Sequence, residues 1–165
     1  MTRIAIIGNA TGGKSTLAAN LLADRLGLPL IEVDKLLWQK GVNLIPSLRE
    51  HAKIIAQDKW VLEGLGHQDS IAERLVRTTE IVLIDLPLWM HFSLAAEQQI
   101  EEQLGAPPRC FVETPRTREI FRAMWEVDQT WLPALRAMCR NAELQGKIVQ
   151  RLTSLTEIEA FAKNL

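Results

Sequence analysis

The sequence predicts a three-layer α/β fold, in which helices cover both faces of a five-stranded parallel sheet. Short apolar runs rich in β-branched residues recur along the 165 residues, and stretches with helical periodicity separate them. Most of these runs lack polar–apolar alternation, which is typical of strands buried on both faces. With 47% hydrophobic residues, the chain is long enough for one sizeable core and too short for two ordinary domains. We therefore expect a single domain over residues 1–165.

The boundaries of the elements follow from these patterns. The predicted strands cover residues 3–7, 30–33, 60–63, 80–85 and 147–152. The predicted long helices cover 14–26, 87–104 and 117–142, and Pro133 is expected to kink or split the last one after Leu132. Three capping-box patterns each predict the start of a further helix: Ser47 with Glu50, Ser70 with Glu73, and Ser154 with Glu157.

Composition limits the partners and the compartment. The formal net charge is -1, so no overall positive field favours a nucleic-acid or membrane partner. Cys110 and Cys139 match no metal-binding spacing, which favours a reducing compartment. The sequence has no signal-peptide pattern and no apolar run approaching the roughly 18 residues of a membrane span. We therefore expect a cytoplasmic protein without nucleic-acid or membrane partners.

Residues 8–15 carry the most specific motif, a complete G-x-x-x-x-G-K-[ST] or Walker A pattern between a predicted strand and a predicted helix. The residues of this predicted nucleotide-binding loop are Gly8, Asn9, Ala10, Thr11, Gly12, Gly13, Lys14, Ser15 and Thr16. Backbone N–H groups in such a loop point at phosphate oxygens, and the lysine reaches the β and γ phosphates. The serine hydroxyl of the motif can hold Mg²⁺. The expected cofactors are therefore ATP and Mg²⁺.

Other nucleotide-binding classes fit the sequence poorly. The dinucleotide fingerprint G-x-G-x-x-G is absent. A guanine-specific switch protein would need an N-K-x-D-like base reader, and no asparagine in the chain precedes lysine.

The chain resembles the adenylate kinase-like P-loop proteins, and most closely the subgroup called DNA topology modulation proteins. Besides the phosphate loop, the segments that carry this resemblance are Glu32–Trp38, Trp60–Gly64, Ile84–Pro87 and Arg151–Phe161. The resemblance implies a nucleoside monophosphate kinase-like fold with strand order 2-3-1-4-5, and it leaves the acceptor open. The DNA-binding role that the label of the subgroup suggests has no basic stripe to support it.

The resemblance also implies roles for single residues. Asp34, at the end of the second strand, would hold the acceptor and serve as a base; alternatively it caps the next helix. Glu63 would act on the metal together with Ser15. Arg74 would face an acceptor phosphate, or else lie in solvent beside Asp69 or Ser70. Asp85 is a weaker match, because Asp-Leu-Pro is also a common turn sequence.

Two departures from the family pattern bear on catalysis. The helix after Pro87 has no arginine, and Gly64-Leu-Gly66 replaces the expected Gly-Asn-Tyr. The irregular stretch that starts at Gly105 and contains three prolines predicts a lid around residues 105–118, or alternatively a plain surface connection. Arg118 and Arg122, beside this lid, are predicted to form a substitute clamp together with Arg109 and Arg116. Alternatively these arginines form a solvated face, with Arg122 paired to Glu126.

A single apolar stripe is predicted to face the core along 117–142, leaving the arginines of this stretch on the outer side. The stripe consists of Ile120, Met124, Val127, Trp131, Leu135 and Met138. The arginines opposite it are Arg118, Arg122, Arg136 and Arg140.

The expected function is that of an ATP-dependent phosphotransferase, a kinase in which Lys14, Asp34, Arg118 and Arg122 act on the transferring group. Its partners would be ATP and a small acceptor. The alternative is a nucleotide-binding module with little or no transfer.

Overall fold

A computed structural model describes residues 1–9, 14–34, 44–105 and 117–164 of the chain. Five strands form one parallel sheet: β1 (Thr2–Gly8), β2 (Leu30–Glu32), β3 (Lys59–Glu63), β4 (Glu80–Ile84) and β5 (Ile148–Leu152). Their order is β2-β3-β1-β4-β5. The predicted fold class and strand order are therefore confirmed, and each strand lies within two residues of its predicted bounds.

Helices follow the strands along the chain and cover both faces of the sheet. They are α1 (Lys14–Leu26), α2 (Leu44–Ile55), α3 (Gln68–Arg77), α4 (Leu88–Gln103), α5 (Thr117–Glu126), α6 (Leu132–Leu144) and α7 (Leu155–Asn164). None of the helices in the described part of the chain is both long and apolar enough to cross a membrane.

The central strand β1 separates two hydrophobic cores. Ala5 and Ile7 belong to the core that α3 and α6 cover, whereas Ile4 and Ile6 belong to the core that α1 and α7 cover. Successive residues of a strand point to opposite faces, so an unbroken apolar run serves both cores. The carboxyl ends of all five strands meet at one edge of the sheet, where Gly8, Asp34, Glu63 and Asp85 follow or end their strands.

Two of the three capping predictions were wrong, because the helices begin at other residues. Ser47 is buried inside α2, which begins earlier, at Leu44. Helix α3 is capped by His67, whose imidazole accepts from the Asp69 N–H, while the Ser70 hydroxyl donates to the His67 carbonyl. The third prediction is confirmed in part, because the Ser154 hydroxyl accepts from the Glu157 N–H. The Glu157 carboxylate reaches back to the N–H of Thr153 and not to that of Ser154.

The long helix predicted over 117–142 is interrupted ahead of Leu132, at Val127–Trp131, and not directly after Leu132. Residues Val127–Trp131 form a π-helical turn, in which the Leu132 N–H donates to the Val127 carbonyl five residues earlier. Proline has no N–H to donate, and its ring clashes with the carbonyl four residues before it. The wider π turn comes just before Pro133 in the chain and makes room for the proline ring.

The π turn also explains why one stripe does not run through the whole stretch. A π turn holds about one residue more than an α turn, so the faces after it are displaced by roughly a quarter of a turn. Met124 and Leu135 are buried as predicted, but Met138 is exposed. Arg136, predicted on the outer side, instead turns toward the sheet.

Candidate functional site

The phosphate-loop motif joins β1 to α1 at the carboxyl edge of the sheet. Gly8 is the register partner of Ile84 in β4, and a Cβ at Gly8 would lie 2.3 Å from the Ile84 carbonyl oxygen. Only glycine fits this approach. Lys14, Ser15 and Thr16 form the first turn of α1. The positions Ala10, Thr11, Gly12 and Gly13, and the side chains of residues 14–16, lie outside the described structure.

Asn9 has a contact that the motif did not predict. Its side chain is buried, and its amide nitrogen Nδ2 donates a 2.7 Å hydrogen bond to the carbonyl oxygen of Met124 in α5. The phosphate loop is thereby tied to the helix that carries the predicted clamp arginines. Sequence spacing contains no signal for this contact, because the two residues are 115 positions apart.

Asp34 lies against the loop that follows β3. The Gly66 N–H donates to Asp34 Oδ1 at 2.8 Å, and a Cβ at Gly64 would lie 2.5 Å from Oδ2 of the same carboxylate. Gly64 and Gly66 have φ angles of +104° and +65°, which side-chain-bearing residues rarely adopt. The Gly64-Leu-Gly66 sequence that departs from the family pattern therefore shapes a close cradle around Asp34.

The protonation of Asp34 depends on opposing effects. Burial raises the pKa of this carboxyl, while the hydrogen bond from Gly66 and the positive charge of Arg74 lower it; burial prevails. The residue nevertheless keeps an exposed surface. The Asp34 carboxyl is therefore more basic than that of an ordinary aspartate. The alternative role of Asp34 as a helix cap concerns residues outside the described structure.

Arg74 is completely buried, so the alternative of a solvent-facing arginine is wrong. Its Nη2 donates to the Leu65 carbonyl at 2.9 Å. No acceptor in the described structure faces its Nε or its Nη1. Burial lowers the pKa of Arg74 to about 10, while the negative charges of Asp34 and Glu63 raise it. Arg74 is thus a buried cation at neutral pH with unmet hydrogen-bonding capacity.

Glu63 ends β3 beside the phosphate-loop strand. It is the register partner of Ile6, and the next residue, Gly64, donates its N–H to the Ile6 carbonyl at 3.1 Å. Its half-buried side chain contributes one of the two negative charges that act on Arg74. Glu63 therefore lies between the phosphate loop and the Asp34–Arg74 pair.

His51 was missed by the sequence analysis. It lies on the buried face of α2, and no group in the described structure bonds to its Nε2. Burial and the charge of Arg74 lower the pKa of His51 to about 4, so the imidazole is neutral at pH 7. Ser47, His51, Ile54 and Ile55 are all buried, at helical spacing, and that pattern was the available signal.

Asp85 is bound by two arginines from other elements. Its side chain is fully buried and accepts from Nε and Nη2 of Arg136 and from Nε of Arg151, with the shortest distances at 2.6 Å. Burial raises the pKa of Asp85, but the hydrogen bonds from both arginines outweigh it and leave the pKa lowered. Asp85 therefore anchors α6 and β5 to the end of β4.

The structure describes only two of the four predicted clamp residues. Arg118 and Arg122 are exposed on α5, which is held against α4 by the stacked rings of Phe92 and Phe121 at 4.8 Å. The ion pair expected between Arg122 and Glu126 is not formed in the described structure. Arg109, Arg116 and most of the predicted lid at 105–118 lie outside the described residues.

Comparisons with known proteins bear on the fold. No family model matches the chain, and no curated protein matches it. A shikimate kinase from Acinetobacter baumannii, solved in complex with shikimate, is 14% identical with a TM-score of 0.58, over 99% of this chain and 90% of that one. A gluconokinase from Sinorhizobium meliloti is 16% identical with a TM-score of 0.52, over 98% and 89%. A shikimate kinase from Aquifex aeolicus is 14% identical with a TM-score of 0.50, over 99% and 92%. The chain thus shares the fold of these solved small-molecule kinases, the nucleoside monophosphate kinase-like fold.

Proposed function

We propose that the chain is an ATP-dependent phosphotransferase that acts on a small acceptor. The phosphate-loop motif joins β1 to α1 at the carboxyl edge of the parallel sheet, where open α/β sheets hold their ligands. The solved structures that share the fold are named as kinases. We further propose a single cytoplasmic domain related to the adenylate kinase-like proteins, of the subgroup that the sequence resembles.

The single observation that carries the proposal is the state of Arg74 beside Asp34. Two nitrogen atoms of the Arg74 guanidinium group, Nε and Nη1, are buried, and their N–H groups have no acceptor in the described structure. Leaving a buried donor unsatisfied costs about 1–3 kcal/mol, and more for a charged group. An anionic group on an acceptor molecule, a phosphate or a carboxylate, would satisfy these donors. Asp34, whose charge acts on Arg74, would then be the candidate base for a hydroxyl proton.

We propose that ATP and Mg²⁺ bind at the phosphate-loop motif. Among the described residues, no three acidic, histidine or cysteine side chains cluster around a possible metal position. Mg²⁺ usually binds through one or two protein oxygens, water and substrate phosphates, so Ser15 and Glu63 suffice as candidate ligands. Bound there, Mg²⁺ would neutralise charge on the β and γ phosphates.

The proposed reaction needs positioning and charge more than covalent chemistry. An acceptor oxygen attacks the γ phosphorus, the bond from that phosphorus to the β–γ bridging oxygen breaks, and ADP leaves. Where the acceptor is a hydroxyl, its proton passes to Asp34. Lys14 holds the β and γ phosphates, and Arg118 and Arg122 stabilise the charge on the transferring group from α5.

A second candidate function is a nucleotide-binding module with little transfer. The observation that favours it is the absence of arginine and lysine from α4, the helix in which related kinases place their clamp. This module would bind ATP and ADP through the same loop, and only the arginines of α5 and the lid distinguish the two functions.

An ATP-consumption assay separates the candidates. The protein is incubated with ATP, Mg²⁺ and single members of a panel of nucleosides, nucleotides, sugars and hydroxy acids, beside a Lys14→Ala control. We expect ADP release that depends on one acceptor class and is lost in the control. ADP binding measured by calorimetry, combined with no acceptor-dependent turnover, would refute the phosphotransferase and leave the binding module.

A further inference from the structure

A cavity of about 240 Å³ lies between helix α6 and the edge of the sheet formed by β4 and β5. It is separate from the proposed ATP site, because α1, which follows the phosphate loop, packs on the opposite face of the sheet. The residues that line it are Leu83, Arg136, Cys139, Arg140, Glu143, Val149 and Arg151.

The positions of these residues along their elements explain why they converge. Leu83 of β4 and Arg151 of β5 are register partners, and Val149 lies two residues earlier on the same side of β5. Arg136, Arg140 and Glu143 follow one another at helical spacing on the side of α6 that faces the strands. The cavity therefore has charged side chains on α6 and β5 and an apolar floor.

The arginines of the cavity keep most of their hydrogen-bonding capacity. Arg136 donates to Asp85 from Nε and Nη2, and Arg151 donates to the same carboxylate from Nε alone. Three guanidinium groups therefore line the cavity with one carboxylate, Glu143, while Asp85 and the charge of Asp128 act on Arg136. Arg140 has no carboxylate partner among the described residues.

We propose that this cavity binds the oxyanion group of a small organic anion, a phosphate monoester or a carboxylate. Arg140, Nη1 of Arg136 and the Nη groups of Arg151 hold the oxyanion through charge-assisted hydrogen bonds. The organic part of the ligand lies on Leu83 and Val149. The volume is below the roughly 300–1,000 Å³ of common ligand pockets, so the ligand has one ring or a short chain and is smaller than a nucleotide.

The test is an NMR titration of the full chain carrying Lys14→Ala, which weakens phosphate binding at the P-loop. Phenyl phosphate and benzoate serve as probes, and benzyl alcohol serves as the neutral control. We expect the amide signals of Val149 and Arg140 to move with a Kd on the order of 1 mM for at least one anion, and not with benzyl alcohol. Whichever anion binds more tightly identifies the oxyanion.

Substitutions of Arg140 test whether the anion binds in this cavity. Arg140→Ala should weaken binding at least fivefold, and Arg140→Gln, which keeps the bulk of the side chain, should do the same. Arg25→Ala, an exposed arginine on α1, should leave the affinity unchanged. Unchanged affinity in both Arg140 variants, equal binding of benzyl alcohol, or no shift at Val149 with either anion would each overturn the proposal. None of these outcomes depends on phosphotransferase activity.

Discussion

The amide group of Asn9 donates a 2.7 Å hydrogen bond to the backbone carbonyl of Met124, and both residues are buried. The bond connects the first turn of the phosphate loop to α5, which presents Arg118 and Arg122 on its exposed side. Asn9 therefore ties the start of the phosphate-loop motif directly to the helix that carries the predicted clamp.

Removing this link should impair transfer more than nucleotide binding. Asn9→Ala leaves the Met124 carbonyl without that donor, and we expect about 1–2 kcal/mol lower stability. Because α5 is then less well positioned, turnover should fall at least tenfold while ADP affinity measured by calorimetry changes less than threefold. Asn141→Ala, on the exposed side of α6, is the control. Equal losses in turnover and ADP affinity would show that Asn9 acts on the nucleotide alone.

Replacing Arg74 should separate activity from stability. Arg74→Met, which keeps much of the volume, removes two unmet donors but also the cation that faces Asp34 and Glu63, so the free energy of unfolding should fall by no more than about 3 kcal/mol. Loss of the acceptor contact should lower kcat/KM for the acceptor at least a hundredfold. Arg77→Met, on the exposed side of the same helix, is the matched control. A large loss of stability in Arg74→Met, with KM for the acceptor unchanged, would make Arg74 a structural residue.

The cradle around Asp34 predicts a contrast between two glycines. Gly64 and Gly27 both have positive φ angles, +104° and +61°, but only a Cβ at Gly64 would meet another atom, Asp34 Oδ2 at 2.5 Å. Gly27→Ala should cost about 1 kcal/mol of stability from backbone strain alone. Gly64→Ala should cost clearly more and displace the Asp34 carboxylate, lowering turnover as well. Equal unfolding midpoints in urea for the two variants would contradict the contact.

The titration of His51 should make the fold less stable in mild acid. Its pKa is about 4 in the folded chain against 6.5 for the free side chain, so the unfolded chain binds the proton more readily. Stability from this group is complete above pH 6.5 and is lost as the pH falls toward 4. Between pH 7 and pH 5 the loss is about 2 kcal/mol. Urea unfolding of the wild type and of His51→Gln at both pH values measures it; an equally steep decline in the variant would exclude His51 as the cause.

The sheet could be predicted from the sequence because its strands are apolar on both faces and bounded by helix signals. The phosphate loop was predictable because its chemistry requires fixed residue types at fixed spacing. The contacts of Asn9, Asp85 and Arg136 were not predictable, since each joins residues more than 50 positions apart. The π turn that redirects Arg136 depends on how the chain accommodates Pro133, and a constant 100° rotation per residue cannot represent that.

The remaining prediction concerns what replaces the missing clamp of α4. Arg118 and Arg122 lie one turn apart on the exposed side of α5, and no described ion pair joins Arg122 to Glu126. Two exposed arginines that pair with no described residue add little to stability, so reversing their charge should leave the unfolding midpoint nearly unchanged. If they close over the transferring group, Arg118→Glu with Arg122→Glu should lower kcat at least a thousandfold, because two attractive charges become repulsive toward the γ phosphate.

The matched control for this double variant is Arg25→Glu with Arg49→Glu, which makes the same change in net charge at exposed positions on α1 and α2. ADP binding should persist in both proteins, because ADP lacks the group that the arginines would contact. Turnover is measured on the acceptor that the panel identifies. Turnover that falls equally in the two double variants would reflect net charge and not a clamp. Unchanged turnover in the α5 variant would mean that Arg118 and Arg122 form a solvated face and take no part in transfer.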